Sequence, residues 1–257
     1  MTAREIPLRG GTANRGRIHR VGDTVRRPLR PNAAGLHAFL RHLEAAGFDG
    51  APRVLGVDAE GREMLTYVPG EAVIAPAPAW GLTDEALHSV GVLLRRFHDA
   101  AASFDPEPYA WPHRHGTGGM LHNDPNLDNV VFRDARAVAL IDFDLAAPGP
   151  PLWDVAATIR LWAPLRAPAD VDDERAGRGF TRARILADAY RLDAAGRTGL
   201  VDAVRDSHAW MSALVADGAA RGIPGFVDYW TPEIQARTAR SRAWLDEHAD
   251  ALCAALR

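Results

Sequence analysis

Lysine is missing altogether: all 30 basic residues of the 257-residue chain are arginine. The chain therefore has no amine side chain to form a Schiff base and no lysine ammonium to meet a phosphate. Cysteine is reduced to Cys253. That excludes a structural disulfide within the chain and a cysteine-based zinc site. Long apolar runs are lacking as well. No stretch reaches the ~18 residues that a membrane-spanning helix needs, and the opening MTAREIPLRGG has no apolar signal-peptide core. These gaps predict a cytoplasmic protein with no membrane partner. The net charge is only −3, with acids and bases mixed along the chain, which argues against a nucleic-acid partner.

The hydrophobic content of 47% and charged content of 25% are those of a folded globular chain. The first 70 residues read as short strands around one helix. Ile18–Val21 and Thr24–Arg27 flank Gly22-Asp23, a hairpin turn pair. Before them lies the small-residue loop Arg9–Asn14. Leu36, Phe39, Leu40 and Leu43 form a helical stripe that stops at Gly47. Arg53–Val57 and Glu63–Val68 read as two more strands, with a turn over Asp58–Gly61. Pro69-Gly70 and the Ala/Pro run Ala75–Ala79 break the pattern, so the expected boundary gives an N-terminal unit of 1–69 and a C-terminal unit of 70–257. Thr83 is the expected N-cap of a helix reaching about Ser103. Val130–Arg133 and Ala137–Ile141 read as strands. From Leu152 the chain reads as helix, broken near Pro164–Asp170, Gly196 and Gly222–Gly225. The fold class expected is α+β, with a small β-rich N-terminal lobe and a larger, mainly helical C-terminal lobe. A cleft between two such lobes is where a nucleotide would sit.

The informative stretch is Leu121-His122-Asn123-Asp124-Pro125-Asn126-Leu127-Asp128-Asn129, followed by a hairpin and Ile141-Asp142-Phe143-Asp144. The pattern His-x-Asp-x-x-x-x-Asn sets an acid and an amide on one loop. The hairpin then returns a second carboxylate, Asp142, to the same end of the strands. Phosphoryl transfer needs this combination: a carboxylate beside the attacking hydroxyl and hard oxygen ligands for Mg2+. Asp128 and Asp144 are further acids in the same loops and read first as turn or cap residues. Both are also candidate substrate contacts, as are His113 and His115 in the loop before the motif, which reads first as a solvated loop. The other histidines lack metal-ligand spacing. The acids Asp170, Asp172, Asp173 and Glu174 read equally as a solvated acidic loop or as a means of drawing a cationic acceptor toward the helical half.

In GGTANRGRIHRVGDTVRRP, HLEAAGFDGAPRVLGVDAEGREMLTYVPGE, HNDPNLDN and ALIDFDLAAPGPPLWDVA the sequence resembles the aminoglycoside-phosphotransferase and choline-kinase branch of the protein-kinase-like fold. Within it, the bacterial trifolitoxin-immunity-like phosphotransferases are similar. The segments span most of residues 9–165, and the rest carries no matching motif. The resemblance implies a bilobal protein-kinase-like fold and a small-molecule kinase that moves the γ-phosphate of ATP or GTP, with Mg2+, onto a hydroxyl of a small substrate. Asp124 would take the acceptor proton, and Asn129 and Asp142 would hold Mg2+. His122 would brace the catalytic loop, and Asp154 would accept hydrogen bonds from its backbone. Thr66, Tyr67 and Val68 would face the adenine. Gly10, Gly11, Thr12 and Asn14 would cover the phosphates.

Two positions depart from the family pattern. The usual phosphate-binding lysine is replaced by Arg26 (or Arg27). Its expected glutamate partner on the next helix is not evident, since Leu36 and His37 stand in its place. Those departures motivate a second reading, a catalytically weak immunity or sequestration protein that binds a nucleotide or toxin. The partners implied are a nucleotide and a small hydroxylated substrate, for a monomer or a homodimer.

Overall fold

Alternating apolar residues on either side of a tight turn pair the first strands. The structure, a computed structural model, describes residues 4–8 and 16–257. Strands β1 (Glu5–Pro7), β2 (His19–Val21) and β3 (Thr24–Pro28) run antiparallel, with Gly22 (φ 60°) closing the β2–β3 turn. Helix α1 (Ala33–Ala45) follows and ends at Gly47. There φ is 76° and the Phe48 N–H returns to the Leu43 carbonyl at 2.9 Å. Strands β4 (Val54–Val57) and β5 (Arg62–Thr66) complete an antiparallel sheet of order β1-β2-β3-β5-β4. The β1 strand was not foreseen in the sequence. It is three residues long and exposed throughout, so no burial pattern marks it.

Strand β6 (Glu71–Ala72) comes next, and Thr83 caps α2 (Asp84–Ala101) by accepting the Ala86 N–H at 3.1 Å. Strand β7 (Met120–Leu121) leads into the motif loop. The hairpin of β8 (Val130–Arg133) and β9 (Arg136–Leu140) follows it, with β6 on the outer side of β8. Strand β10 (Ala147–Pro148) pairs back with β7, bringing the chain past the loop a second time. The remainder is helical: α3 (Pro151–Trp162), α4 (Gly179–Tyr190), α5 (Ala194–Ala220), α6 (Pro224–Tyr229), α7 (Pro232–Glu247) and α8 (Ala249–Leu256). The break expected at Gly196 lies one turn earlier. Asp193 is the N-cap of α5 and accepts the Gly196 N–H at 2.7 Å, so Gly196 sits inside the helix.

One apolar cluster ties the sheet's helix to the helical body. Phe39 of α1 and Phe97 of α2 meet Phe143, with ring centroids 5.9–6.3 Å apart. Phe143 also meets the ring of His122 at 4.6 Å. Burying a phenylalanine contributes roughly 1.5–3 kcal/mol, and here it has a positional consequence. Phe143 lies between Asp142 and Asp144 in sequence, so its burial anchors both carboxylates beside the motif loop. Among the described residues no helix is long and apolar enough to cross a membrane.

Candidate active site

The motif loop is held from beneath by one carboxylate. Asp154, in the first turn of α3, is fully buried. Its Oδ2 accepts the His122 backbone N–H at 2.7 Å and its Oδ1 accepts that of Asn123 at 2.8 Å. His98 of α2 approaches Asp154 Oδ2 through Nε2 at 3.1 Å, and its other nitrogen meets the Tyr190 hydroxyl at 2.8 Å. These bonds hold Asn123 at φ 68°, a left-handed conformation that costs a non-glycine residue about 1 kcal/mol or more. The Asn123 side chain is fixed as well, donating to the Leu145 carbonyl at 3.0 Å and accepting the Trp153 indole N–H at 2.8 Å. Trp162 Nε1 donates to the Pro125 carbonyl at 3.0 Å. The helix α3 thus grips the loop on both sides of Asp124.

His122 is completely buried. Its Nε2 lies 2.9 Å from the Ile141 carbonyl, and the Asp124 N–H points at its Nδ1 at 3.3 Å. Those partners require a proton on Nε2 and a lone pair on Nδ1. Burial lowers the imidazole pKa and keeps it neutral. A ring with both nitrogens engaged by backbone is a brace between the loop and the β9 exit.

Asn129 Nδ2 donates to both the main-chain carbonyl and the carboxylate Oδ2 of Asp124, each at 3.0 Å. That turns the amide oxygen of Asn129 away from Asp124. Asp142 follows β9 in a left-handed conformation (φ 61°). Burial pushes the Asp124 carboxyl up to about 7; the Asp128 charge adds to this, and Arg160 and the Asn129 hydrogen bond oppose it. Asp142 is raised chiefly by burial and next by Asp144.

Above them the sheet supplies an apolar roof. Ile18, Val25, Leu65 and Val68 line a cleft whose floor is Asp128, Asn129, Ile141 and Asp142. Thr66, Tyr67 and Val68 lie along its edge, where the Tyr67 ring is covered by the Arg20 guanidinium at 3.8 Å. Gly10, Gly11, Thr12 and Asn14 lie outside the described residues.

The basic residue of β3 requires a correction. Side chains alternate along a strand, and the β3–β5 register sets Arg26 opposite Met64 and Arg27 opposite Glu63. Arg26 consequently turns to the outer face, toward Met64 and Asp58. Arg27 is the one that faces the cleft, at 4% exposure. It pairs with Glu63, with Asp144 at 2.8 Å and with Asp142 at 3.5 Å. Burial works against the Arg27 charge, but the three surrounding carboxylates outweigh it and raise the pKa. The glutamate expected on a helix comes from the neighbouring strand instead. Glu63, itself 1% exposed, takes Arg27 on one side and His37 Nε2 of α1 on the other, at 2.6 Å. The sequence showed His37 where a glutamate was expected; the cross-strand register that explains the exchange was not readable from it.

The candidate substrate contacts divide. Asp144 is engaged by Arg27 and Arg30, and Asp128 lines the same cleft as Thr66–Val68, so both stand on the side of the sheet. His113 and His115 pack against Trp210, and His115 stacks on Trp153 at 3.9 Å, next to Asn123. Two functional neighbours escaped the sequence reading. Glu63 is one, and Arg160 of α3, within Coulombic reach of Asp124, is the other.

Comparison with known proteins identifies relatives in sequence and in fold. The signature described as phosphotransferase enzyme family matches residues 108–187, which contain the whole motif loop. The trifolitoxin immunity protein of Rhizobium leguminosarum bv. trifolii is 35% identical over 275 residues, covering 98% of each chain. Among solved structures, a choline/ethanolamine kinase family protein from Mesorhizobium loti superposes with a TM-score of 0.67 at 19% identity, over 100% of this chain and 93% of that one. The GDP complex of aminoglycoside 2'-phosphotransferase-IIIa gives a TM-score of 0.61 at 13% identity, over 95% and 93%. At such identities these structures establish a shared protein-kinase-like fold. The chain belongs to the phosphotransferase enzyme family, alongside the trifolitoxin immunity protein.

Proposed function

We propose that this protein is a small-molecule kinase that transfers the γ-phosphate of ATP or GTP to a hydroxyl group, with Asp124 as the base. The observation that carries the reading is the convergence of Asp124, Asn129 and Asp142 under a cleft roofed by the sheet. Solved relatives of the same fold include a streptomycin–ATP ternary complex and a GDP complex, which supports nucleotide use in general. The nucleotide base lies between Val25, Leu65 and the Thr66–Val68 edge, and Arg27 reaches its phosphates from β3. The 1–69 and 70–257 segments serve as the two lobes, with the transfer taking place between them.

The donor set suits Mg2+. Asn129 offers an amide oxygen and Asp142 a carboxylate, both hard ligands. Among the described residues no group of three or more His, Cys, Asp or Glu is arranged as a self-sufficient metal cage. Bound by Asn129 and Asp142, Mg2+ supplies charge neutralisation for the transferring phosphate.

The side chains of this protein do the rest. The Asn129 amide orients the Asp124 carboxylate, which accepts the hydroxyl proton as the acceptor oxygen attacks. The raised pKa of Asp124 brings its basicity toward that of the task. Glu63 and His37 fix the fork of Arg27 without consuming all of its donors. His122 and Asp154 hold the loop so that little reorganisation accompanies transfer.

Phosphorus NMR of ATP or GTP with Mg2+ over a panel of hydroxylated compounds tests the reading. A new phosphomonoester signal is expected for the wild type and none for Asp124→Ala, whose nucleotide affinity should stay near the wild-type value. Full turnover by Asp124→Ala would remove Asp124 from the role.

The homologue's name favours a second reading, an immunity function exerted by binding alone. The occupied base position and paired metal ligands speak against it, because sequestration requires neither.

A further inference from the structure

The side of Asp124 away from the sheet is strongly cationic. Arg160 projects from α3 toward Asp124, and its Nε is buried with no hydrogen-bond partner. Arg166, four residues beyond the end of α3, lies within Coulombic reach of Arg160 and of Arg237 on α7. His208 of α5, 8% exposed, faces Arg160 and Arg166, and Tyr229 of α6 faces both arginines. Among the described residues no ion pair is formed by Arg160, Arg166 or Arg237. The nearby acids Asp170 and Asp173 attract Arg166 through space but hydrogen-bond other arginines. Asp170 pairs with Arg240 through both oxygens, at 2.5 and 3.1 Å. Asp173 clasps Arg175 at 2.7 and 2.9 Å, and Asp246 bonds Arg205 and Arg242. Of the acids that seemed able to draw a cationic acceptor, Asp170 and Asp173 are paired with other arginines, and Asp172 and Glu174 lie exposed.

A buried guanidinium N–H without a hydrogen-bond partner, such as Arg160 Nε, is costly unless a ligand accepts from it, and Asp124 and Asp173 reach Arg160 and Arg166 only through space, with no ion pair formed. The guanidinium fork is built to take a planar or tetrahedral oxyanion through two donors. We infer that the acceptor is a hydroxylated anion, whose carboxylate or phosphate group is held by Arg160 and Arg166 while its hydroxyl meets Asp124. The inference rests on the kinase reading and names its substrate class. The transfer balances in the usual way. The acceptor oxygen bonds to the γ-phosphorus, its proton goes to Asp124, and the bond from the γ-phosphorus to the bridging oxygen breaks, its electron pair leaving with the nucleoside diphosphate. A polycationic acceptor would instead meet like charge at this wall.

The test is calorimetric titration of inorganic phosphate, and separately of acetate, into protein saturated with Mg2+ and a non-hydrolysable ATP analogue. The nucleotide occupies the Arg27 side, so remaining anion binding reports the Arg160 side. Saturable binding of one anion is expected, weakened by at least about tenfold in Arg160→Gln/Arg166→Gln and unchanged in Arg221→Gln. Among the described residues Arg221 bonds only Asp217, on the far end of α5. Should the double variant misfold by circular dichroism, Arg166→Gln and Arg237→Gln are read singly. The stronger anion tells phosphate from carboxylate. Binding of neither anion, or binding indifferent to these arginines, overturns the inference while leaving the kinase reading intact. Failure of the nucleotide itself to bind strikes the kinase reading, and the anion titration is then judged by the same arginine dependence.

Discussion

Removing the Asp154 carboxylate should do more damage than any other single change near the site. Asp154→Ala orphans the backbone N–H groups of His122 and Asn123 and leaves His98 without its acid partner. Each buried donor left unsatisfied costs about 1–3 kcal/mol, and breaking a buried charged network costs about 3–5 kcal/mol. The loss should therefore be about 3–5 kcal/mol, out of a total stability of about 5–15 kcal/mol for a domain. Part of it returns when Asn123 relaxes from φ 68°, but that relaxation moves Asp124. Asp154→Asn keeps one acceptor and turns an amide N–H2 toward a donor, so it should recover only a minority of the loss. Urea denaturation followed by circular dichroism gives the comparison, with the slope checked for two-state behaviour. A loss below about 1 kcal/mol for Asp154→Ala would refute the argument that this carboxylate carries the loop.

The cleft and the helical body make further predictions. Glu63→Gln removes the buried carboxylate between Arg27 and His37 and should lower stability by up to about 3–5 kcal/mol while also weakening nucleotide binding, as read by a thermal melt beside calorimetry on the folded protein. Equal affinity would show that Arg27 is held by Asp144 and Asp142 alone. His208 should make the fold acid-sensitive. Burial first, then Arg160, Arg242 and Arg166, push its pKa down to about 4. Between its ordinary value near 6.5 and that lower one the unfolded chain binds the extra proton, so stability falls as pH drops through this window. The decline attributable to His208 approaches about 3 kcal/mol at pH 4. His208→Gln should flatten the profile between pH 6.5 and 4, and an unchanged slope would assign the sensitivity to other groups.

Much of this was legible in the sequence because its signals are local. The Gly22-Asp23 turn, the α1 stripe ending at Gly47 and the Thr83 cap each depend on a few adjacent residues, and each appears where expected. The convergence of Asp124, Asn129 and Asp142 was readable because a short hairpin leaves their side of the sheet little freedom. What escaped depends on pairing across the chain. Whether Arg26 or Arg27 faces inward is decided by strand register, and the substitution of Glu63 for a helix glutamate follows from the same register. The short strands β1, β6, β7 and β10 carry too few residues for alternation to show. Arg160 is one arginine among 30, and only the approach of α3 to the motif loop singles it out.

The central claim is a Mg2+-dependent nucleotide site floored by Asn129 and Asp142, and it is tested most directly by titrating ATP and GTP into the protein with and without Mg2+. Binding of at least one nucleotide that needs Mg2+, and that is lost or strongly weakened in Asp142→Asn, is the predicted result. Binding of neither nucleotide to the wild type, or the same metal dependence in Asp142→Asn, would contradict it.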